Sequence, residues 1–234
     1  PEYLLLDEAQ FIRDWGTWVK HQVDFAKQRR IAFTGSAMPL VEAGQESGVG
    51  RWHTIRLTTL SFYEYLQIKR LTLPELPRLD TLRDLFDWPR ADLYRVGETA
   101  APYVGHFHEY LVRGGFPEAV GRAPGRRRRA WFESYLTTLM QRDVRELAHI
   151  SGLTELPRLL ALLAARTCGL SNHAELSRSS GLPQTTLGRY LTLLETTFVL
   201  QTLPAWSANL SRRVTKSPKL LLSDTGLATH LLNL

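Results

Sequence analysis

Tyr3–Gln10 reads Tyr-Leu-Leu-Leu-Asp-Glu-Ala-Gln, and this stretch decides the fold of the chain. Three consecutive leucines with no polar alternation predict a short strand that is buried on both faces, as in a parallel sheet. The apolar run ends abruptly in Asp7 and Glu8. Open α/β sheets place ligand groups at the carboxyl ends of such strands. Because neighbouring strand residues point to opposite sides, we expect the two acids to have different roles.

Two adjacent acids at a strand end suit the hydrolysis of a nucleotide. In such sites one acid holds Mg²⁺, usually through water, and a second orients or polarises the attacking water. Asp7 and Glu8 have the form of this Walker B element. The same pattern also occurs at ordinary strand ends, where the acids are solvated or cap a helix. The stretch alone leaves both interpretations open.

A second strand is predicted at Ile31–Phe33, and polar residues follow it directly. A helix-periodic segment separates it from the first strand, which suits a right-handed parallel crossover. The two carboxyl ends would then present Asp7, Glu8, Thr34 and Ser36 along one edge. Thr34 or Ser36 could hydrogen-bond a γ-phosphate or the attacking water, or simply start a helix.

A glycine-rich turn at Glu46–Trp52 carries Arg51, and the alternating residues His53–Leu57 predict a third strand. The turn does not match the GxxxxGK[ST] phosphate loop. Arg51 could stabilise phosphate charge in its own subunit or in a neighbour's. A solvated turn residue is the alternative.

These motifs, followed by Leu60–Leu66 (Leu-Ser-Phe-Tyr-Glu-Tyr-Leu), resemble the prokaryotic AAA+-type ATP-binding proteins that carry a C-terminal DUF4143 region. The resemblance implies a P-loop fold that binds ATP and Mg²⁺, the metal being held by Asp7 through water. It implies the following roles: Walker B for Asp7 and Glu8, the sensor 1 region for Thr34 and Ser36, and the arginine of the Gly-Arg motif for Arg51.

The family's glycine-rich phosphate loop lies upstream of Walker B, and the sequence begins at Pro1 without it. We therefore expect the chain to be a fragment that starts inside an ATPase core. Without the loop's N–H groups and lysine, most of the binding energy for a nucleotide is missing. The 234 residues alone are expected to bind ATP weakly and to hydrolyse it negligibly.

Composition narrows the class of protein. The chain is 44% hydrophobic, which supports a core, and its net charge of +6 favours a polyanionic partner. No apolar run approaches the roughly 20 residues of a spanning helix, so no membrane contact is expected. The single cysteine, Cys168, cannot form an internal disulfide, which predicts a cytoplasmic protein. We expect Cys168 to be a small buried residue.

The last seventy residues predict a winged helix. A short helix (His173–Ser179), a glycine turn (Ser180–Pro183) and a longer helix (Thr185–Thr197) form a helix-turn-helix pattern. Two strands, Phe198–Leu203 and Leu220–Leu222, would follow. From residue 166 onward seven Lys/Arg stand against three Asp/Glu, so much of the positive charge lies here.

Side chains that could read bases or touch phosphates fall into two groups in this module. The candidate DNA-binding residues are Gln184, Thr185, Thr186 and Arg189 on the second helix, and Arg212, Arg213 and Lys216 in the loop between the strands. Many winged helices serve only protein contacts, so a protein partner remains the alternative to DNA.

Two further stretches resemble the same family. Gly114–Glu118 reads Gly-Gly-Phe-Pro-Glu, and its glycines permit a tight turn. Asp224–Leu227 reads Asp-Thr-Gly-Leu, and Asp224 is predicted to cap the final helix. No chemistry is predicted at either stretch.

The predicted fold class is α/β: a partial P-loop NTPase parallel sheet, then an all-helical region, then a C-terminal winged helix. The predicted domains are 1–66 (half of an AAA+-like ATPase core), 67–130 (a helical connector) and 131–234 (a DUF4143-like region with the winged helix from about 170). The predicted function couples ATP binding and hydrolysis to DNA contact, with a homo-oligomer formed through the ATPase part. The alternative is a nucleotide-independent adaptor that binds DNA or protein.

Overall fold

The structure is a computed structural model, and it describes residues 2–9, 12, 14–36, 52–71, 82–123, 125–140 and 154–234. Arg51 lies outside the described residues. The chain divides into two compact units. The first consists of Pro1–Thr58 with Glu133–Ser223, and the second of Thr59–Phe132 with Asp224–Leu234. Among the helices that the structure describes, none has the length and apolar character needed to cross a membrane.

The fold is mixed α/β and mostly helical. In chain order the strands and α-helices are β1 (Glu2–Leu6), α1 (Trp15–Phe25), β2 (Arg29–Phe33), α2 (Phe62–Ile68), α3 (Arg90–Ala100), α4 (Val104–Arg113), α5 (Pro117–Gly121), α6 (Arg126–Thr138), α7 (Leu156–Ala165), α8 (His173–Ser180), α9 (Gln184–Thr196), β3 (Leu200–Leu203), α10 (Leu210–Thr215), β4 (Lys219–Leu222) and α11 (Thr225–Leu231).

The first two strands form a small parallel sheet, and α1 makes the crossover between them. Leu4 lies opposite Ile31, and Leu6 lies opposite Phe33. Trp15 at the start of α1 packs on Phe33 with 5.1 Å between ring centroids. The predicted parallel pairing is confirmed, and it is consistent with part of a P-loop domain.

The prediction that β1 is buried on both faces is wrong for the described residues. Leu4 and Leu6 are half-buried, whereas Leu5 between them is 77% exposed. Successive strand side chains point to opposite faces, so only one face of the sheet receives cover. A run of leucines predicts that both faces of the strand are covered, but it does not indicate which segments of the chain pack on each face.

The predicted third strand is also absent from the described residues. His53–Leu57 forms no strand with the described residues, and Ile55 and Leu57 are 76% and 88% exposed. Apolar alternation describes only the side-chain pattern, whereas a strand also requires a backbone partner in a hydrogen-bonded ladder. No such partner occurs for this segment within the part of the chain that the structure describes.

The predicted short helix, glycine turn and longer helix are confirmed as α8, Gly181 and α9. Gly181 has φ of +77°, the left-handed conformation that glycine adopts without strain at a helix end. The helices pack through α9, whose apolar stripe is buried as predicted. The buried members of that stripe are Leu187, Tyr190, Leu191 and Leu194.

Strands β3 and β4 pair antiparallel, with Leu200 opposite Leu222. The segment between them is not only a loop, because it contains the short helix α10. Asn209 caps α10 by accepting a hydrogen bond from Arg212 N–H over 3.3 Å. Arg212 and Arg213 therefore lie on a helix, which corrects their predicted place in a loop.

The expectation that Cys168 is buried is wrong. Its side chain is exposed, and its backbone has φ of +65° in the turn after α7. The residue is held through its backbone, since Cys168 N–H donates to Leu220 O over 2.7 Å. Small neighbouring residues therefore reflect a tight turn here rather than a packed side chain.

The second unit has its own core, formed by Tyr65, Leu66 and Val120. Helix α2 begins with a capping box. Ser61 accepts the N–H of Glu64 over 3.3 Å, and the Glu64 carboxylate accepts the N–H of Ser61 over 2.7 Å. This reciprocal pair fixes the point at which α2 begins.

Candidate functional site

The carboxyl ends of β1 and β2 are joined by hydrogen bonds that continue past both strands. Thr34 N–H donates to Leu6 O, and Ala9 N–H donates to Thr34 O, each over 2.9 Å. The Thr34 hydroxyl donates to Asp7 Oδ1. Asp7 and Thr34 are 27 residues apart in sequence, and the structure brings them together at the predicted edge.

The Asp7 carboxylate is exposed and is oriented through one of its oxygens. Oδ1 accepts the Thr34 hydroxyl and also Glu8 N–H over 3.0 Å. Both of the hydrogen bonds that the described residues supply to Asp7 use Oδ1, which leaves Oδ2 for a further partner. Carboxylate oxygens are hard ligands of the kind that Mg²⁺ prefers. The donor set at Asp7 therefore fits a magnesium ion, bound directly or through water.

Glu8 is half-buried and has φ of +53°. This left-handed conformation costs a non-glycine residue about 1 kcal/mol, so the surrounding contacts must hold it. Ala9, which is 4% exposed and bonded to Thr34 O, supplies such an anchor. The expected opposite orientation of the two acids assumed that the strand extends through Glu8. Because β1 ends at Leu6, the bend sets their directions instead.

Two further nucleotide-site residues were predicted, Ser36 and Arg51. Ser36 is exposed two residues beyond Thr34. Arg51 lies outside the described residues. The structure thus gathers Asp7, Glu8 and Thr34 at one edge of the sheet.

The candidate DNA-binding residues lie on two elements of the first unit. Gln184, Thr185 and Arg189 are exposed on α9, and Thr186 is half-buried there. A second group is exposed on α10 and at its C-cap. Its members are Arg212, Arg213 and Lys216.

Arg213 and Trp206 form a cation–aromatic contact on the surface of this segment. The guanidinium carbon lies 5.9 Å from the centroid of the Trp206 ring, and Trp206 is 79% exposed. Arg213 Nε also donates to Ser207 O, which holds the guanidinium group in place. The sequence analysis did not consider Trp206, although an exposed aromatic beside arginines is typical of nucleic-acid surfaces.

Asp224 plays a larger structural part than the sequence predicted. Its predicted capping role is confirmed, since Oδ1 accepts Leu227 N–H over 2.9 Å. Oδ2 accepts Gly115 N–H over 2.7 Å, although the residues are 109 positions apart. Burial raises the pKa of the Asp224 carboxyl above its usual value, while hydrogen bonds from Gly115, Leu227 and the Thr59 side chain oppose that rise.

Three motifs that the sequence analysis treated separately therefore meet at Asp224 in the second unit. Leu60 N–H donates to Gly115 O over 2.8 Å, and the Tyr110 hydroxyl donates to Leu60 O over 2.7 Å. Gly114 has φ of +75°, and a Cβ there would lie 2.1 Å from Asp224 Oδ1. The glycines are required by this close backbone approach, which only the distance in space reveals.

Comparison with known families agrees with the geometry of the sheet edge. Residues 1–66 match the family model described as an AAA domain. Together with the parallel strand pair, this match relates the N-terminal part to AAA-type ATPases, a class that binds nucleotide.

The larger match lies in the C-terminal part. Residues 104–234, more than half of the chain, match the model described as domain of unknown function DUF8612, and the chain belongs to that family. The matching model is thus DUF8612, whereas the motifs had predicted DUF4143.

Curated relatives include uncharacterized proteins of Mycobacterium tuberculosis and Mycobacterium bovis. Each is 30% identical to the chain over 233 residues, which is 99% of the chain and 44% of the relative. The chain therefore spans less than half the length of these relatives. No solved structure matches it.

Proposed function

We propose that residues 1–66 form the Mg²⁺-nucleotide edge of an ATPase, with Asp7 holding the metal and Glu8 orienting the attacking water. The observation that carries the proposal is the hydrogen bond from Thr34 to Asp7 between the carboxyl ends of two parallel strands. Bound Mg²⁺ would supply positive charge to the phosphates. Thr34 fixes the Asp7 carboxylate, and Ser36 and Arg51 are assigned to the phosphate side on the family resemblance.

Thr34→Val tests the positioning of Asp7. Valine keeps the shape of the side chain but cannot donate to Oδ1, so Asp7 loses one of its two orienting bonds. We expect kcat for ATP hydrolysis to fall about tenfold with little change in KM for ATP. The measurement is steady-state hydrolysis of ATP by the full-length protein.

Thr17→Val is the matched control, since Thr17 is exposed on α1 and, unlike Thr34, donates no hydrogen bond to Asp7 among the described residues. An equal loss of kcat in both variants would contradict a specific role for the hydroxyl of Thr34. Unchanged kcat in Thr34→Val would contradict the proposed edge itself.

A second proposed activity is DNA contact by the C-terminal part of the first unit. The elements run α7, α8, α9, β3, α10, β4, which supports a winged-helix arrangement with α10 inserted between its two strands, and Leu170 adds a short antiparallel bridge to Lys219. Exposed polar side chains on α9 and the basic residues near α10 support a nucleic-acid partner. In this proposal nucleotide binding at the AAA domain is coupled to DNA contact, and a homo-oligomer forms through the ATPase part.

Replacing Arg212, Arg213 and Lys216 together by Gln tests the DNA proposal. If each contacts one phosphate, the slope of log K against log salt becomes shallower by about 2.7, and affinity falls at low salt. The measurement is fluorescence anisotropy of a labelled duplex over a salt series.

A matched control replaces Arg126, Arg127 and Arg129, which are exposed on α6, by Gln. It removes the same charge and should leave the slope nearly unchanged. A complete lack of duplex binding by the unaltered protein at low salt would contradict the DNA proposal and favour a protein partner.

A further inference from the structure

A cleft of about 460 Å³ lies in the first unit between Ser171–His173 and Thr215–Pro218. The two segments are held together by backbone contacts. Ser171 N–H donates to Pro218 O over 2.7 Å, and Leu170 forms a β-bridge with Lys219. The cleft is therefore built by segments more than forty residues apart, which local sequence patterns do not bring together.

The N-terminus of α8 forms one wall of the cleft. Asn172 Oδ1 accepts Glu175 N–H over 3.1 Å, which satisfies one of the first backbone donors. The N–H groups of His173 and Ala174 lie in the first turn, where no intrahelical acceptor exists. These donors and the helix dipole favour an anion. The acid of this turn, Glu175, is paired with Arg166 over 2.9 Å, so its charge is compensated.

Ser171 provides a second and independent indication of a ligand. The residue is only 6% exposed, and its hydroxyl has no hydrogen-bond partner among the described residues. A buried hydroxyl without a partner is costly and requires an explanation. Ser171 lines this cleft and also an adjoining cleft of about 370 Å³, so the residue with the unpartnered hydroxyl borders both openings.

The opposite wall supplies positive charge and a further hydroxyl. Lys216 is exposed at the C-cap of α10 and lines the cleft together with Ser217. A lysine, a serine hydroxyl and helical N–H groups are the donors that recognise phosphate oxygens.

We propose that this cleft binds a phosphate group, supplied by the backbone of duplex DNA. The inference rests on the DNA proposal above. It adds a specific phosphate-binding site between α8 and the segment after α10. Ser171 and Lys216 are its binding residues.

Two variants and a charge-matched control test the proposed phosphate-binding site. Ser171→Ala removes the unpartnered hydroxyl, so the melting temperature of the free protein should rise while affinity for duplex DNA falls about tenfold. Lys216→Gln should also weaken duplex binding. Lys219→Gln removes the same charge from the exposed start of β4, outside the cleft lining. Its affinity for duplex DNA should be closer to that of the unaltered protein than the affinity of Lys216→Gln is. A merely structural Ser171 would instead lower the melting temperature on replacement.

The melting temperatures of the same proteins are also measured in inorganic phosphate and in chloride at matched ionic strength. Phosphate should raise the melting temperature of the unaltered protein and of Lys219→Gln, but not that of Ser171→Ala or Lys216→Gln.

The outcomes separate the two proposals. One outcome is that the unaltered protein binds duplex DNA and that Ser171→Ala and Lys216→Gln bind it as well as Lys219→Gln does. That result overturns the phosphate-binding site but leaves the DNA proposal standing. If duplex binding is absent but the phosphate response depends on Lys216 and Ser171, the phosphate site stands with a free phosphate as its source, and DNA binding falls. Absence of both responses overturns both.

Discussion

Asp7→Asn should lower Mg²⁺-dependent ATP hydrolysis by about 100-fold or more in the longest natural form of the protein. Asparagine keeps an oxygen that can accept from Thr34, so the edge of the sheet can keep its shape. It removes the negative charge that a divalent metal requires, and Mg²⁺ should no longer strengthen nucleotide binding. The measurements are steady-state hydrolysis and nucleotide affinity over a Mg²⁺ titration.

Asp14→Asn is the control, because Asp14 is an exposed acid just before α1 and Asn tolerates its left-handed φ of +54°. It should retain activity and the full response to Mg²⁺. Retained metal dependence in Asp7→Asn would remove Asp7 from the metal site. The Thr34→Val variant leaves the negative charge of Asp7 in place, so it should lower turnover more than it lowers affinity for Mg²⁺. Comparing it with Asp7→Asn separates the effect of orienting the Asp7 carboxylate from the effect of its charge.

Short-range patterns predicted the elements that carry the candidate sites. Leucines followed by acids located β1, and the polar residues after Phe33 located the end of β2. The glycine turn predicted at Ser180–Pro183 located the end of α8, since a left-handed glycine acts within a few residues. The parallel pairing followed because a helix between two strands leaves few other topologies.

Features that depend on distant partners were not predictable in this way. The exposure of Leu5 and the missing strand at 53–57 depend on which segments cover or pair with the sheet. The bond from Asp224 to Gly115 spans 109 positions, so no local periodicity reports it. The cleft at Ser171 likewise exists only because the chain returns to it at Pro218. Arg51 lies outside the described residues, and its role stays a prediction.

The convergence of three motifs on Asp224 changes what those motifs mean. A buried carboxylate that caps α11 and also binds Gly115 N–H ties the C-terminal helix to the turn after α4. Gly226 shares this packing, since a Cβ there would lie 2.2 Å from Arg113 O. The glycines of both motifs are therefore explained by close backbone approach in the second unit, without any catalytic role.

Gly115→Ala should lower the free energy of unfolding of the second unit by about 3 kcal/mol or more. A Cβ at Gly115 would lie 2.3 Å from Leu60 O and 2.9 Å from Leu60 N, and backbone atoms cannot move aside cheaply. Relief of the clash would separate Leu60 from Gly115 and weaken the bond to Asp224, leaving buried polar groups without partners. Urea unfolding followed by circular dichroism measures the loss.

Gly97→Ala is the matched control in the same unit. Gly97 lies inside α3, and nothing lies within 4 Å of the position of an added Cβ. Alanine there should raise the free energy of unfolding by about 0.5–1 kcal/mol, because it restricts the unfolded chain and favours helix. Asp224→Ala should resemble Gly115→Ala, and the double variant should cost less than the two single losses added together, since both break one shared set of bonds. Two results would contradict the proposed role of Asp224 in holding α11 against the turn after α4. One is that the losses in free energy of unfolding are fully additive, and the other is that Gly115→Ala is as stable as Gly97→Ala.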